Sequence, residues 1–388
     1  MSRVTDTLRK NTMFIALVVV TVLFQILITS QGKGSLFAPV NITNLINQNG
    51  YVVILATGML LCILTGGNVD LAIGSIVALV GALAGKLIVE FKFNIYISIL
   101  ICLLAGVMIG AWQAFWIAYV RIPPFIVTLA GMLTFRGVTL ILLNGLTISP
   151  FPEEYTRYFN SYLPLDAKYK FIVSIAIGIL ICLTLVIMQT FSRISRRRKG
   201  YAQESLIMTI IKTSLVSAVV IAIFWLLGLD KGIPVVLIFL AVVVFAYSYY
   251  TSNTVPGRHL YAMGGNEKAA RLSGINTNKT LFFAYTNMGF LSAVAALVCV
   301  ARFNSATPSS GTSYELDAIG ACFIGGASAY GGVGKVSGAV IGAILIGIIN
   351  NGMSILGVDS NWQRAVKGLV LLAAVIFDVL SKRRKSVA

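Results

Sequence analysis

Asp70 is the residue of this chain whose type and setting most invite a chemical role. It lies in LTGGNVDLAIGS, residues 64–75, where Gly66, Gly67, Asn68 and Asp70 interrupt an otherwise apolar run. A carboxylate at the centre of a membrane span costs about 2.5–3.5 kcal/mol, so it must face a cavity or a partner. Two roles are open. The carboxylate can cap a helix starting at Leu71 by accepting backbone N–H groups at the positive end of the helix dipole, or it can face a polar solute or a proton path.

Other reactive-looking residues carry less. AYGGVGKVSG, residues 329–338, resembles a phosphate-binding loop, but Ala329 stands where the first glycine is needed and Val336 follows Lys335. The spacing instead predicts a tight turn between short helices. His259 is the single histidine, and no Ser, Cys or carboxylate is spaced around it as a triad. Cys62, Cys102, Cys182, Cys299 and Cys322 lie in or beside apolar runs without metal-ligand spacing and read as packing residues. Gln113, Thr128, Arg136, Asn287, Asn350 and Asn351 are further polar residues within or beside apolar runs. The neutral ones suit hydrogen bonds to a hydroxylated solute, and helix-to-helix bonds account for them equally well. Asn68, Asp70, Gln113, Asn350 and Asn351 are the candidates for a translocation path.

The elements that hold these residues must be membrane helices. Of 388 residues, 57% are hydrophobic and 11% charged, against about a quarter charged in a soluble domain. Apolar runs at 13–30, 51–64, 71–89, 95–120, 125–143, 171–191, 206–227, 234–250, 281–301, 319–330, 336–356 and 365–380 give about twelve candidate crossings. The first run is longer than a signal-peptide core and has no A-x-A site, so it reads as an uncleaved span. The expected fold is all-α, one polytopic transmembrane helical domain over residues 1–388 with about 10–12 segments, some broken or short and glycine-rich.

The net charge of +17 falls between apolar runs without stacking aromatics, which argues against nucleic acid. Lys and Arg concentrate at the start, in SRISRRRKG and in the tail SKRRKSVA. Six crossings separate the first from the second and six more reach the third, so all three fall on one face, cytoplasmic by the positive-inside rule. Both termini, a basic loop at about 192–205 and a loop at about 252–279 are expected there. The segment LTISPFPEEYTRYFNSYLPLDAKYK falls on the opposite face. Two glycine-dense stretches, 64–75 and 316–338, break their spans in opposite halves of the chain. Such backbone at membrane depth survives only when buried in protein or lining a water-filled cavity, so it points to a transport path.

GRHLYAMGGNEKAARLSGIN, residues 257–276, is a polar segment between long apolar runs. Asn266 is a good N-cap, residues 267–273 can make two helical turns, and Gly274 is a natural C-cap. Glu267 and Arg271 are spaced to pair across one turn. A helix this short is stable only when docked. Ala269 and Ala270 permit close approach, and Arg258, Lys268 and Arg271 surround them with charge. The alternative is an ordinary hydrated connector.

This segment, followed by SYELDAIGACFIGGASAYGGVGKVSGAVIGAILIGIINNGMSILGV, resembles the permease subunit of ribose-type and xylose-type bacterial ABC importers. TGGNVDLAIGS and IPPFIVTLAGMLTFRG resemble that family's N-terminal half. The resemblance implies a bacterial inner-membrane permease homodimer, cytoplasmic ABC ATPases that bind ATP and Mg, and an extracytoplasmic sugar-binding protein. No cofactor is implied in this chain. It further implies a coupling helix that contacts the ATPase, carried over to Gly264, Gly265, Asn266, Glu267, Ala269, Ala270, Arg271, Ser273 and Gly274. An insertion from about Arg193 to Leu229 departs from the shorter ribose type and resembles the xylose and multiple-monosaccharide permeases. A proton- or cation-coupled carrier using Asp70, or an ABC permease for nucleosides or another small solute, are the competing readings.

Overall fold

The computed structural model describes residues 12–164, 166, 168–200 and 206–386. Its first half holds α1 (Thr12–Ser30), α2 (Pro39–Leu64), α3 (Ile73–Gly85, extended by a π-turn Lys86–Glu90), α4 (Ile95–Ala118), α5 (Pro124–Leu143), α6 (Glu153–Asn160) and α7 (Lys170–Arg198). The second half holds α8 (Leu206–Leu229), α9 (Val235–Asn253), α10 (Val255–Gly265), α11 (Glu267–Leu272), α12 (Thr277–Phe303), α13 (Tyr314–Ile324), α14 (Val336–Ile355) and α15 (Ser360–Ser386). Among the described residues the only strand-like pairings are two isolated bridges, Ile148 with Ala306 and Tyr162 with Pro234.

Ten of these helices are long and apolar enough to cross a membrane, namely α1 to α5, α7, α8, α9, α12 and α14. The other two expected crossings take different forms. Run 319–330 contains only the end of the 11-residue α13, which gives way to a glycine-rich turn. Run 365–380 lies inside α15, where Lys367 and Asp378 sit among apolar residues. Together α13 and α15 complete the alternation, so both described ends of the chain reach one face. There Met13 packs beside Gly326, and the Asp378 carboxylate accepts from the Ala329 amide at 3.1 Å.

The core is built on α2 and α12, in each of which 78% of the most apolar stretch is buried. Neither is amphipathic, because each is surrounded by other helices. α12 packs on α2, α3 and α4. Against α4 the approach is set by small residues four apart: Gly106 and Gly110 face Gly289 and Ala293, and a Cβ on Gly106 would lie 2.7 Å from the Gly289 carbonyl oxygen. Helices in lipid associate through such close contact because hydrocarbon gives them no hydrophobic drive. At the other extreme, the α8 span has 0% of its most apolar stretch buried and faces outward from the bundle. The five cysteines are all buried, and the thiols of Cys62, Cys102, Cys182 and Cys322 point at carbonyls of neighbouring helices.

One junction ties three breaks in the helical pattern together. The turn after α2 holds Gly66 and Gly67, the turn after α13 holds Gly331 and Gly332, and α10 brings in Gly264. A Cβ on Gly264 would overlap the Leu64 carbonyl oxygen and the Gly332 amide nitrogen, and one on Gly67 would overlap the Ala329 carbonyl oxygen. A Cβ on Gly331 would lie 2.5 Å from the Gly66 Cα. The backbones touch directly. The Gly332 amide donates to the Leu64 carbonyl at 3.1 Å, and the Tyr261 hydroxyl donates to the Gly334 carbonyl at 3.0 Å. Gly67, Gly331 and Gly332 also have φ of +75°, +84° and +70°, which glycine alone adopts without strain.

Gly264 and its neighbour Gly265 provide a paired test. Both are helical, but a Cβ on Gly265 meets nothing within 4 Å. Gly264→Ala is expected to lower stability by about 1–3 kcal/mol through overpacking. Gly265→Ala should be neutral or stabilising by up to about 1 kcal/mol through helix propensity. Thermal unfolding of the two purified variants checks this, and equal midpoints would refute the junction as described.

Candidate coupling surface and translocation path

The polar segment 257–276 forms two helices rather than one. Thr254 caps α10 by accepting from the Gly257 amide at 3.1 Å, and Pro256 occupies the first turn, where a missing N–H does no harm. Asn266 ends α10 and caps α11, its side chain accepting from the Ala269 amide at 3.0 Å. At the far end the Ser273 hydroxyl bonds the Ala269 carbonyl, and Gly274 takes φ +86° while its amide bonds the Arg271 carbonyl at 3.1 Å. Local sequence therefore specifies both ends of α11.

The attachment of α11 differs from expectation. Glu267 does not pair with Arg271; its carboxylate takes Arg121 Nη1 at 2.6 Å. Arg121, in the turn between α4 and α5, also donates to Thr277 Oγ1 at 3.2 Å and to Asn278 Oδ1. It does so from a left-handed backbone, φ +65°, which costs a non-glycine residue about 1–2 kcal/mol. The ion pair alone is half-exposed and contributes at most about 1 kcal/mol, so the fork of three acceptors is what fixes the turn to α11. Ala270 is the buried contact at 5% exposure, whereas Lys268, Ala269, Arg271, Ser273 and Gly274 face outward. Leu272, which the sequence reading passed over, is 90% exposed at the tip. Its signal was an apolar residue in an otherwise polar and small-residue helix.

Asp70 sits in the re-entrant turn between α2 and α3 and is fully buried. Its Oδ1 accepts from the Ala72 amide at 2.9 Å, just before α3 begins at Ile73 rather than at Leu71. Its Oδ2 has no protein partner. Asp70 thus satisfies half of its carboxylate as a turn-former and leaves the other half unsatisfied, which is costly at this depth. Gln113 on α4 is also fully buried, with both amide atoms unpartnered, and its Nε2 and the Ala72 Cβ both border Gly131 of α5. The Tyr285 hydroxyl of α12, close enough to Asp70 for electrostatic interaction, is a third unpartnered group. Asn68 lies in the same turn and bonds Thr65 Oγ1 at 3.2 Å. The structure brings Asn68, Asp70 and Gln113 into one region.

Asn350 and Asn351 are elsewhere, in the last turns of α14. Asn350 Nδ2 approaches Asn49 Oδ1 of α2 at 3.5 Å, and Asn351 is buried with its Oδ1 unpartnered. Between the two regions lies a charged group that the sequence reading missed. Asp317, in the first turn of α13, is buried and accepts from Tyr51 of α2 at 2.7 Å and from Lys367 of α15 at 2.9 Å, both on Oδ2. Tyr51 stacks on Tyr314 at 3.8 Å. Arg136 of α5 donates to the Pro308 and Ser310 carbonyls, each at 2.7 Å, and so pins the irregular chain that leads into α13. The available signal was a carboxylate two residues before the run at 319, and for Lys367 a charge inside the run 365–380. From Asn49 through Tyr51 to Met59, whose Sδ accepts from the Asp70 amide, polar contacts follow α2 over about 15 Å at about 1.5 Å per residue.

A family model described as branched-chain amino acid transport system / permease component matches residues 41–375. The xylose transport system permease protein of Escherichia coli (strain K12) is 37% identical over 351 residues, 90% of this chain and 88% of that one. The corresponding protein of Haemophilus influenzae is 37% identical over 372 residues, 96% of each chain. The ribose import permease protein of Escherichia coli (strain K12) is 34% identical over 359 residues, 92% of each. No solved structure matches. With broken helices at one junction and similarity along nearly its whole length, the chain belongs to this family of transport-system permease components.

Proposed function

We propose that this chain is the membrane-spanning permease subunit of an ABC importer of monosaccharides, a pentose or hexose, either xylose-like or several sugars. The names of the similar xylose and ribose permeases support the substrate class. The carrying observation for the mode of action is α11: a six-residue helix capped at both ends, anchored behind by Ala270 and Arg121, and displaying Leu272 at 90% exposure. Burying an apolar side chain held out on an exposed mount favours association with a partner protein. The partner is the cytoplasmic ATPase, which holds ATP and Mg and does the hydrolysis.

The junction face is then the cytoplasmic one. The basic end of α7 and both described chain ends lie on it, in keeping with the positive-inside rule. An extracytoplasmic binding protein delivers sugar to the opposite face, and a second copy of the chain completes the path. When the ATPases close, α11 moves against the α4–α5 turn through Arg121, and α10 moves against both glycine turns through Gly264. The turn bearing Asp70 and the start of α14 are displaced together. The neutral amides and Asp70 offer alternate acceptors and donors to sugar hydroxyls as the path opens.

Three measurements follow. Proteoliposomes containing permease, ATPase and binding protein should accumulate sugar only with ATP; accumulation by the permease alone would refute the reading. Leu272→Ser should weaken ATPase association about ten- to a hundredfold, since burying a leucine contributes about 1.5–3 kcal/mol, and leave the unfolding of the isolated permease unchanged. Asp70→Asn retains the acceptor for Ala72 and should leave assembly intact while lowering uptake at least about tenfold, whereas Asp70→Ala should in addition lose about 1 kcal/mol of stability. Uptake at the wild-type rate by Asp70→Asn would reduce Asp70 to a turn-former.

A further inference from the structure

The hairpin of α7 and α8 stands apart from the bundle. α8 packs on α7 and touches α2, while most of both helices faces outward. The hairpin is closed on itself: Gly178 receives Phe224 and Gly228 receives Phe171, with Cβ positions 2.9 and 3.0 Å from the nearest ring-bearing side-chain atoms. Towards the junction face the contacts turn polar, with Thr213 bonding Gln189 at 2.8 Å and Arg193 bonding Thr209 at 2.8 Å.

Length then fixes where the basic end lies. α7 has 29 residues, about 43 Å at about 1.5 Å per residue, against roughly 30 Å of hydrocarbon. Lys170 holds the outer end, where its Nζ donates to the Asp230 carbonyl. About 20 residues cross the hydrocarbon from there, which leaves Ser192 to Lys199 in the headgroup layer on the junction face. In that layer Ser192, Ser195, Arg196 and Lys199 recur at i, i+3, i+4 and i+7 and line one shallow groove. All four are exposed. No acidic residue occurs between Asp166 and Glu204 in the sequence. A guanidinium, an ammonium and two hydroxyls on one helical stripe form a donor set for a phosphate monoanion or diester. Since the stripe lies at headgroup depth on a lipid-facing hairpin, the phosphate at hand is that of a lipid.

We propose that this stripe is a binding site for the phosphate headgroup of an anionic lipid, with Arg196 and Lys199 as its charged contacts. The site is independent of the transported solute. Arg193 is a hairpin residue and belongs to the packing, and Arg197 and Arg198 lie on other faces of the helix.

The test uses the full-length permease in nanodiscs of equal phosphatidylglycerol and phosphatidylcholine, with retained lipid counted by native mass spectrometry. Wild type should retain phosphatidylglycerol preferentially. R196Q/K199Q should lower that retention about tenfold or more, because both cations lose charge-assisted hydrogen bonds to the phosphate. R197Q/R198Q removes the same charge but no hydrogen bond to the phosphate, and at physiological salt, which screens diffuse attraction, should lower it by less than about threefold. Equal losses in the two variants would mean diffuse attraction and overturn the site, as would no loss in either. Release of the retained lipid by excess inorganic phosphate would assign the stripe to the free ion. Unchanged lipid retention with lost ATPase association in R196Q/K199Q would assign it to protein docking, and either result overturns the proposal. Should R196Q/K199Q fail to insert, the single variants R196Q and R197Q are compared: a larger loss of phosphatidylglycerol with R196Q supports the site, and equal losses overturn it.

Discussion

Direct backbone contact between two broken helices and α10 is the constraint on which the rest of this structure depends. At the junction of Gly66, Gly67, Gly264, Gly331 and Gly332 no side chain intervenes between main chains. The two non-helical turns leave carbonyl and amide groups without helical partners, and here they find them in one another, as in the bond from Gly332 to Leu64. Once these turns are seated, the position of Asp70, the start of α14 and the base of α11 are all determined. The same closeness means that none of the three can shift without the others giving way.

Around this point the helices divide the work. α2 and α12 are enclosed and carry the polar contacts that run along the core. α7 and α8 face outward and hold themselves together with their own glycines and hydrogen bonds. α13 is a short element at depth, held at its start by Tyr51 and Lys367 through Asp317 and followed by a turn that α15 reaches through Asp378. A buried carboxylate with a tyrosine and a lysine as partners is acceptable at that depth because each of those groups answers the other's charge or hydrogen bond. Asp317 Oδ1 is left over.

Features with local causes were legible in the sequence. The caps of α11 come from Asn266 and Gly274, and the breaks after α2 and α13 from runs of glycine, because capping and backbone freedom are properties of a few adjacent residues. The membrane class and most of the crossings follow from apolar length alone. What was not legible was which distant groups meet. Glu267 had an eligible partner four residues away in Arg271, yet it pairs with Arg121, 146 residues distant in sequence. That three glycine motifs converge on one point, and that Tyr51 and Lys367 share Asp317, are facts of tertiary packing that no local pattern encodes. Leu272 was legible in type, and only its exposure gives it meaning.

The facing glycines of α4 and α12 have a mechanical consequence. With Gly106 and Gly110 set against Gly289 and Ala293, the two helices touch main chain to main chain and cannot slide without lifting apart. Arg121 at the end of α4 and Thr277 at the start of α12 are joined by a hydrogen bond at the very place where α11 is hung. The pair is therefore one continuous brace with α11 hung at its end. In the proposed coupling, a displacement of α11 reaches both helices as one body rather than through any single side chain.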